Sequence, residues 1–122
     1  MERPTRHEQA QAILQLKGAR LASRIIGRHA RTASDYEEAF NLELVDLISE
    51  ITTPAALLAL GRNVVGPADG LYVLDDGDTY RVYLQDRGDI RSAVSGASFE
   101  EARTAAVECI LRLGGLPYRP PG

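Results

Sequence analysis

The chain has 122 residues, 44% of them hydrophobic and 25% charged, the balance of one globular domain with a core and too short for two. A lone cysteine, Cys109, excludes an intramolecular disulfide and a cysteine-paired zinc site. The formal charge of −3 hides a division: residues 1–33 carry seven basic against two acidic side chains, and residues 34–122 carry seven against fifteen.

Met1–Arg6 is expected to fray, since Pro4 cannot sit inside a helix. From His7 to Ala30 the spacing predicts one helix, with Ala10, Ile13, Leu14, Leu21 and Ile25 sharing an apolar face and Gly18 weakening the middle. Arg20, Arg24 and Arg28 line another face and, with Arg31, form a candidate stripe for phosphate contacts. No base-stacking aromatic precedes Tyr36, which favours a solvated or self-docked face instead. The basic arm as a whole suits either an acidic partner or docking on its own acidic body.

Ser34-Asp35-Tyr36-Glu37 offers a capping box for a second helix, whose apolar stripe is Phe40, Leu44, Leu47, Ile48 and Ile51. Its outer face carries Glu37, Glu43, Asp46 and Glu50, with no basic residue from 34 to 61, a surface suited to a basic partner or to water. Thr53-Pro54 predicts a short apolar helix through Leu60, and Arg62 to Gly70 a loop leading into strands.

Leu71–Leu74 and Tyr80–Gln85 predict a hairpin around Asp75-Asp76-Gly77-Asp78. In the return strand Tyr80, Val82 and Leu84 alternate with Arg81, Tyr83 and Gln85, giving one core face and one wet face. A turn at Asp86-Arg87-Gly88-Asp89 leads to a weaker edge strand, Ile90–Val94. Ser98 and Glu101 form a capping box for a last helix with the stripe Phe99, Ala102, Ala106, Cys109, Ile110 and Leu113. Gly114-Gly115 and Pro117 stop it, and the helix covers the sheet.

No P-loop, dinucleotide-binding glycine pattern, metalloprotease motif or nucleophile elbow occurs. On a single helix, His7 and His29 would stand about 33 Å apart, too far to share a metal. Cys109 falls on an apolar stripe, the place of a buried inert thiol. Asp75, Asp76, Asp78 and Asp86 fail as a calcium loop because Gly77 stands at its third position and Tyr80 at its sixth, so turn chemistry explains them better. Arg87-Gly88-Asp89 is likewise read as a turn rather than an integrin-binding tripeptide. No catalytic residue, cofactor or metal is assigned. A polar N-terminus, and an apolar run no longer than Ala55–Leu60, lead us to expect a cytoplasmic protein with no membrane partner.

The run Asp78 to Gly88, followed by Ser98-Phe99-Glu100-Glu101-Ala102, resembles the strand, Arg-Gly turn and sheet-covering helix of several families of small bacterial immunity proteins of polymorphic toxin systems. Tyr80, Val82, Tyr83, Arg87, Gly88, Phe99, Glu101 and Ala102 match in kind, while Leu84 and Asp86 depart. The resemblance covers roughly the last third of the chain. It implies a cytoplasmic, non-enzymatic inhibitor of a cognate toxin, binding through acidic surfaces: Asp75, Asp76 and Asp78, then Asp86, Arg87 and Asp89, and the face Glu37, Glu43, Asp46, Glu50. The alternatives are a nucleic-acid-binding or regulatory protein using Arg20, Arg24, Arg28 and Arg31, and a small-molecule-binding or enzymatic domain using Tyr72, Tyr80 and Tyr83 in a sheet-face pocket. The expected fold is a single α+β domain: a basic helical arm (1–33), acidic and apolar helices (34–61), then a three-stranded antiparallel meander with a C-terminal helix packed on the sheet (71–113).

Overall fold

A computed structural model describes residues 3–122, whose chain forms two compact units. One holds the described residues up to Glu50 together with Gly114–Gly122; the other is Ile51–Leu113.

The first unit begins with α1 (Arg6–Leu14), started by a capping box in which Thr5 and Glu8 exchange backbone and side-chain hydrogen bonds at 3.1 Å. The expected fraying therefore does not reach Thr5 and Arg6, while Met1 and Glu2 lie outside the described residues. The single helix expected from His7 to Ala30 is instead two, because the chain turns at Leu16, φ 60°, before α2 (Gly18–Ile26). The reason lies in tertiary packing. A Cβ at Gly18 would sit 3.0 Å from Leu116 and 3.2 Å from Ile13, so the position admits a close approach that a side chain would obstruct.

After the left-handed cap at Gly27, α3 (Ala33–Ala39) starts on Thr32 and Asp35 rather than on the expected Ser34–Glu37 box. Nor does this helix run on to Ile51. Phe40 is extended, and α4 (Leu44–Ile48) restarts where the Glu43 N–H donates to Asp46 at 2.7 Å. The interruption is held by Gln9, which is 0% exposed. Its amide nitrogen donates to the Pro4 carbonyl and to Asn41 Oδ1, both at 2.8 Å, and its Oε1 accepts from the Asn41 N–H at 3.1 Å. A buried amide satisfied in this way fixes an extended segment that a helix could not supply. The chain end closes the unit: Leu44 N donates to the Pro121 carbonyl, and Tyr118 packs against Tyr36 and Phe40.

In the second unit α5 (Pro54–Leu58) has the expected Thr53 cap and Pro54 at its first turn. The sheet is β1 (Gly70–Asp75), β2 (Tyr80–Asp86) and β3 (Asp89–Ala97), antiparallel in the order β1-β2-β3. Arg62 forms a parallel bridge to Tyr72, giving its N–H to Leu71 and taking one from Val73. Gly61 lets the chain come this near, since a Cβ there would stand 2.6 Å from the Leu71 carbonyl oxygen. β3 extends beyond the expected 90–94, and its register against β2 shifts twice. The C-terminal helix α6 (Phe99–Gly114), capped by Ser98 and Glu101 as expected, packs on the sheet, so the fold is α+β. Its buried stripe includes Val107 and Leu111, whereas Leu113 is 46% exposed.

The face of β2 expected to be wet is covered at its centre, where Tyr83 is buried, and stays partly open at Arg81 and Gln85. Val82 and Tyr83 point to opposite faces and both are buried, as are all of Leu71–Leu74. Tyr72 and Tyr83 stack with centroids 4.9 Å apart. The Tyr72 hydroxyl reaches the carbonyls of Gly66 (2.9 Å) and Ala68 (2.6 Å), and Gln85 Nε2 donates to the same two oxygens. The 62–70 loop is thus tied down beside the tyrosines by side-chain protons.

Candidate functional site

The acidic residues fall into three separate places. At the β1–β2 turn Asp75 accepts from the Gly77 N–H at 2.8 Å, and Asp76 holds Arg81 through two bonds of 2.8 and 3.1 Å. Asp78 makes no side-chain hydrogen bond or ion pair among the described residues. At the β2–β3 turn Arg87 (φ 52°) and Gly88 (φ 85°) both lie in the left-handed region, the signature of a two-residue hairpin turn. The Arg87 N–H is caught by Asp69 at 2.9 Å, a contact that no local pattern announces. Asp86 and Asp89 flank this turn and are exposed, with Asp89 4.0 Å from Arg91. In a meander the two turns lie at opposite ends of β2, about 20 Å apart for a strand of that length. Asp75, Asp76 and Asp78 therefore do not share a surface with Asp86, Arg87 and Asp89.

Glu37, Glu43, Asp46 and Glu50 do not form one helix face, because the helix expected to carry them is broken. Two of them are taken up by α1: Asp46 pairs with Arg6 at 3.7 Å, while Glu50 accepts from His7 Nδ1 (2.7 Å) and Gln11 Nε2 (2.6 Å). The basic arm thus docks on acidic residues of its own unit. Glu37 and Glu43 both line a cavity of about 430 Å³ with Phe40 and Tyr118, but two cations, Arg6 and Arg119, line it as well. Burial, then the Glu37 charge, raises the Tyr118 hydroxyl above its ordinary value.

The arginine stripe also divides. Arg28 is held by Asp35 at 2.9 Å and Glu38 at 3.2 Å, which leaves Arg31, exposed on the loop before α3, and Arg20 and Arg24 on α2. With Lys17, which the sequence reading did not single out, Arg20 and Arg24 line an open groove between α1 and α2. Asp35 is lowered to about 2, chiefly by the N–H groups of Arg31 and Thr32 and then by Arg28. The tyrosine reading is corrected: Tyr72 and Tyr83 are stacked and buried, so they do not line an open pocket. Burial raises the Cys109 thiol, which leaves it protonated and inert. Among the described residues no group of three or more His, Cys, Asp or Glu could hold a metal ion, and no helix is long and apolar enough to cross a membrane.

The most open element is β3. Eight of its nine residues, Asp89 to Gly96, are exposed, including Ile90 at 58% and Val94 at 37%, and no strand among the described residues lies on its outer edge. Its line is broken by left-handed backbone at Ser92 and Gly96, and Arg112 of α6 donates to the Ser92 hydroxyl. Such bends resist indiscriminate edge pairing while leaving the strand reachable by a shaped partner. Comparison of the chain with protein-family models, curated proteins and solved structures finds no match.

Proposed function

We propose that the protein is a non-enzymatic, cytoplasmic inhibitor that binds and blocks a basic toxin domain, in the manner of the immunity proteins that residues 78–102 resemble. One observation carries the reading: β3 is an exposed edge strand with apolar Ile90 and Val94 beside the acidic turn of Asp86 and Asp89. An apolar anchor with a charged rim is how protein interfaces divide affinity from specificity. Charge supports the choice of partner. Residues 51–113 hold six arginines against nine carboxylates, a surplus that attracts a basic surface and speeds its encounter. The Asp75–Asp78 turn and the pair Glu37 and Glu43 are secondary surfaces in this reading, since Asp46 and Glu50 are engaged at home.

The test is affinity capture from the native host with the wild type and with an Asp86→Asn, Asp89→Asn, Ile90→Lys variant, all three positions being exposed. The expected result is one basic protein held by the wild type, whose toxicity to cells the wild type suppresses and the variant does not. A partner held and neutralised equally by both forms, or no basic protein at all, contradicts the proposal.

A further inference from the structure

The groove between α1 and α2 has a composition that the inhibitor reading does not use. It measures about 510 Å³, within the range of small-molecule sites. One wall is cationic: Lys17, at the N-cap of α2, and Arg20 and Arg24 within it follow at three- and four-residue spacing over about 10 Å. All three are exposed, and their side chains make no hydrogen bond or ion pair among the described residues. Two other charged groups line the groove: Glu8, an anion whose carboxylate is turned to the Thr5 capping box, and His7, which is bound to Glu50, so the three cations outnumber the one carboxylate. The groove is also lined by apolar atoms of Pro4, Ala12 and Leu21, each only half-exposed.

From this juxtaposition of three unpaired cations with an apolar floor, we infer that the groove binds a small anionic amphiphile, its phosphate or carboxylate head on Arg20 and Arg24 and its apolar body over Leu21 and Ala12. Arginine forks match such heads in a bidentate way, and a free charge at the rim loses little by exchanging water for a ligand oxygen. A nucleic-acid strand fits less well. No Phe, Tyr or Trp lines the groove to stack a base, the imidazole of His7 is held by Glu50, and the apolar floor offers nothing to a phosphodiester backbone. The inference stands on residues of the first unit and is independent of the inhibitor reading.

The test is a titration of the ¹⁵N-labelled full chain with octyl phosphate, inorganic phosphate, neutral octyl glucoside and oligothymidylate, followed by NMR. We expect saturable shifts of the Ala12, Arg20, Leu21 and Arg24 amides with octyl phosphate, weaker binding of inorganic phosphate, and no saturation with octyl glucoside. An Arg20→Gln, Arg24→Gln variant, altered only at exposed positions, should bind octyl phosphate about tenfold more weakly or less. Several results overturn the inference: no saturation, shifts confined to other elements, undiminished binding by the variant, inorganic phosphate matching octyl phosphate, or oligothymidylate binding more tightly than the amphiphile.

Discussion

Gln9 shows how one polar side chain can decide a local fold. Its amide has two protons and an oxygen, and all are spent on Pro4 and Asn41 in a fully buried position. Replacing it with leucine keeps the volume but leaves the Asn41 N–H and two oxygens without partners. Gln9→Leu should therefore lower stability by about 1–3 kcal/mol, seen as a lower urea midpoint. Asp35 makes a different prediction, in pH. Its folded value of about 2 lies below the ordinary carboxylate value of about 4, so it stabilises the fold at neutral pH. That contribution is present above the ordinary value and is lost as pH falls through the folded one. In Asp35→Asn this acid-dependent step should be missing from a plot of unfolding midpoint against pH.

At the scale of elements, several signals complete within a few residues hold, although the Ser34–Glu37 box gives way to Thr32–Asp35 and the Thr5–Glu8 box stands where fraying is expected, while features that depend on distant residues are not legible. Ser98–Glu101, Thr53-Pro54 and the Asp-Gly hairpin are complete within a few residues, and each is found where it was expected. The breaks within the helical half have remote causes. Gly18 yields to Leu116, nearly a hundred positions away, and Asn41 is held by Gln9 across thirty-two. The same holds for the covered side of β2, where alternation alone predicts water and a loop carbonyl pair supplies tyrosine and glutamine partners. One break also leaves a cost in the fold. Leu16 takes a left-handed conformation although it is not glycine and is 54% exposed. Asparagine tolerates that region better, so Leu16→Asn should raise the unfolding midpoint by the equivalent of about 1 kcal/mol.

For the whole molecule, the charge division seen along the sequence is reorganised by folding. The unit that contains the basic arm holds eight basic and eight acidic side chains and is neutral, so the net −3 belongs to residues 51–113. The acidic turns were legible in the sequence because Asp, Gly and Arg mark them; that they lie at opposite ends of β2 follows from the meander. That Asp46 and Glu50 are engaged was not legible, because their partners Arg6, His7 and Gln11 lie some forty residues earlier. The longest exposed run on the acidic unit is the β2–β3 turn and the strand after it, and there the inhibitor account places its interface. The most direct measurement is amide hydrogen exchange on the protein alone and bound to its captured basic partner. The account predicts slowed exchange across Asp86–Gly96 with the Asp75–Thr79 turn little changed. Protection confined to the helical unit, with Asp86–Gly96 exchanging as in the free protein, would contradict it.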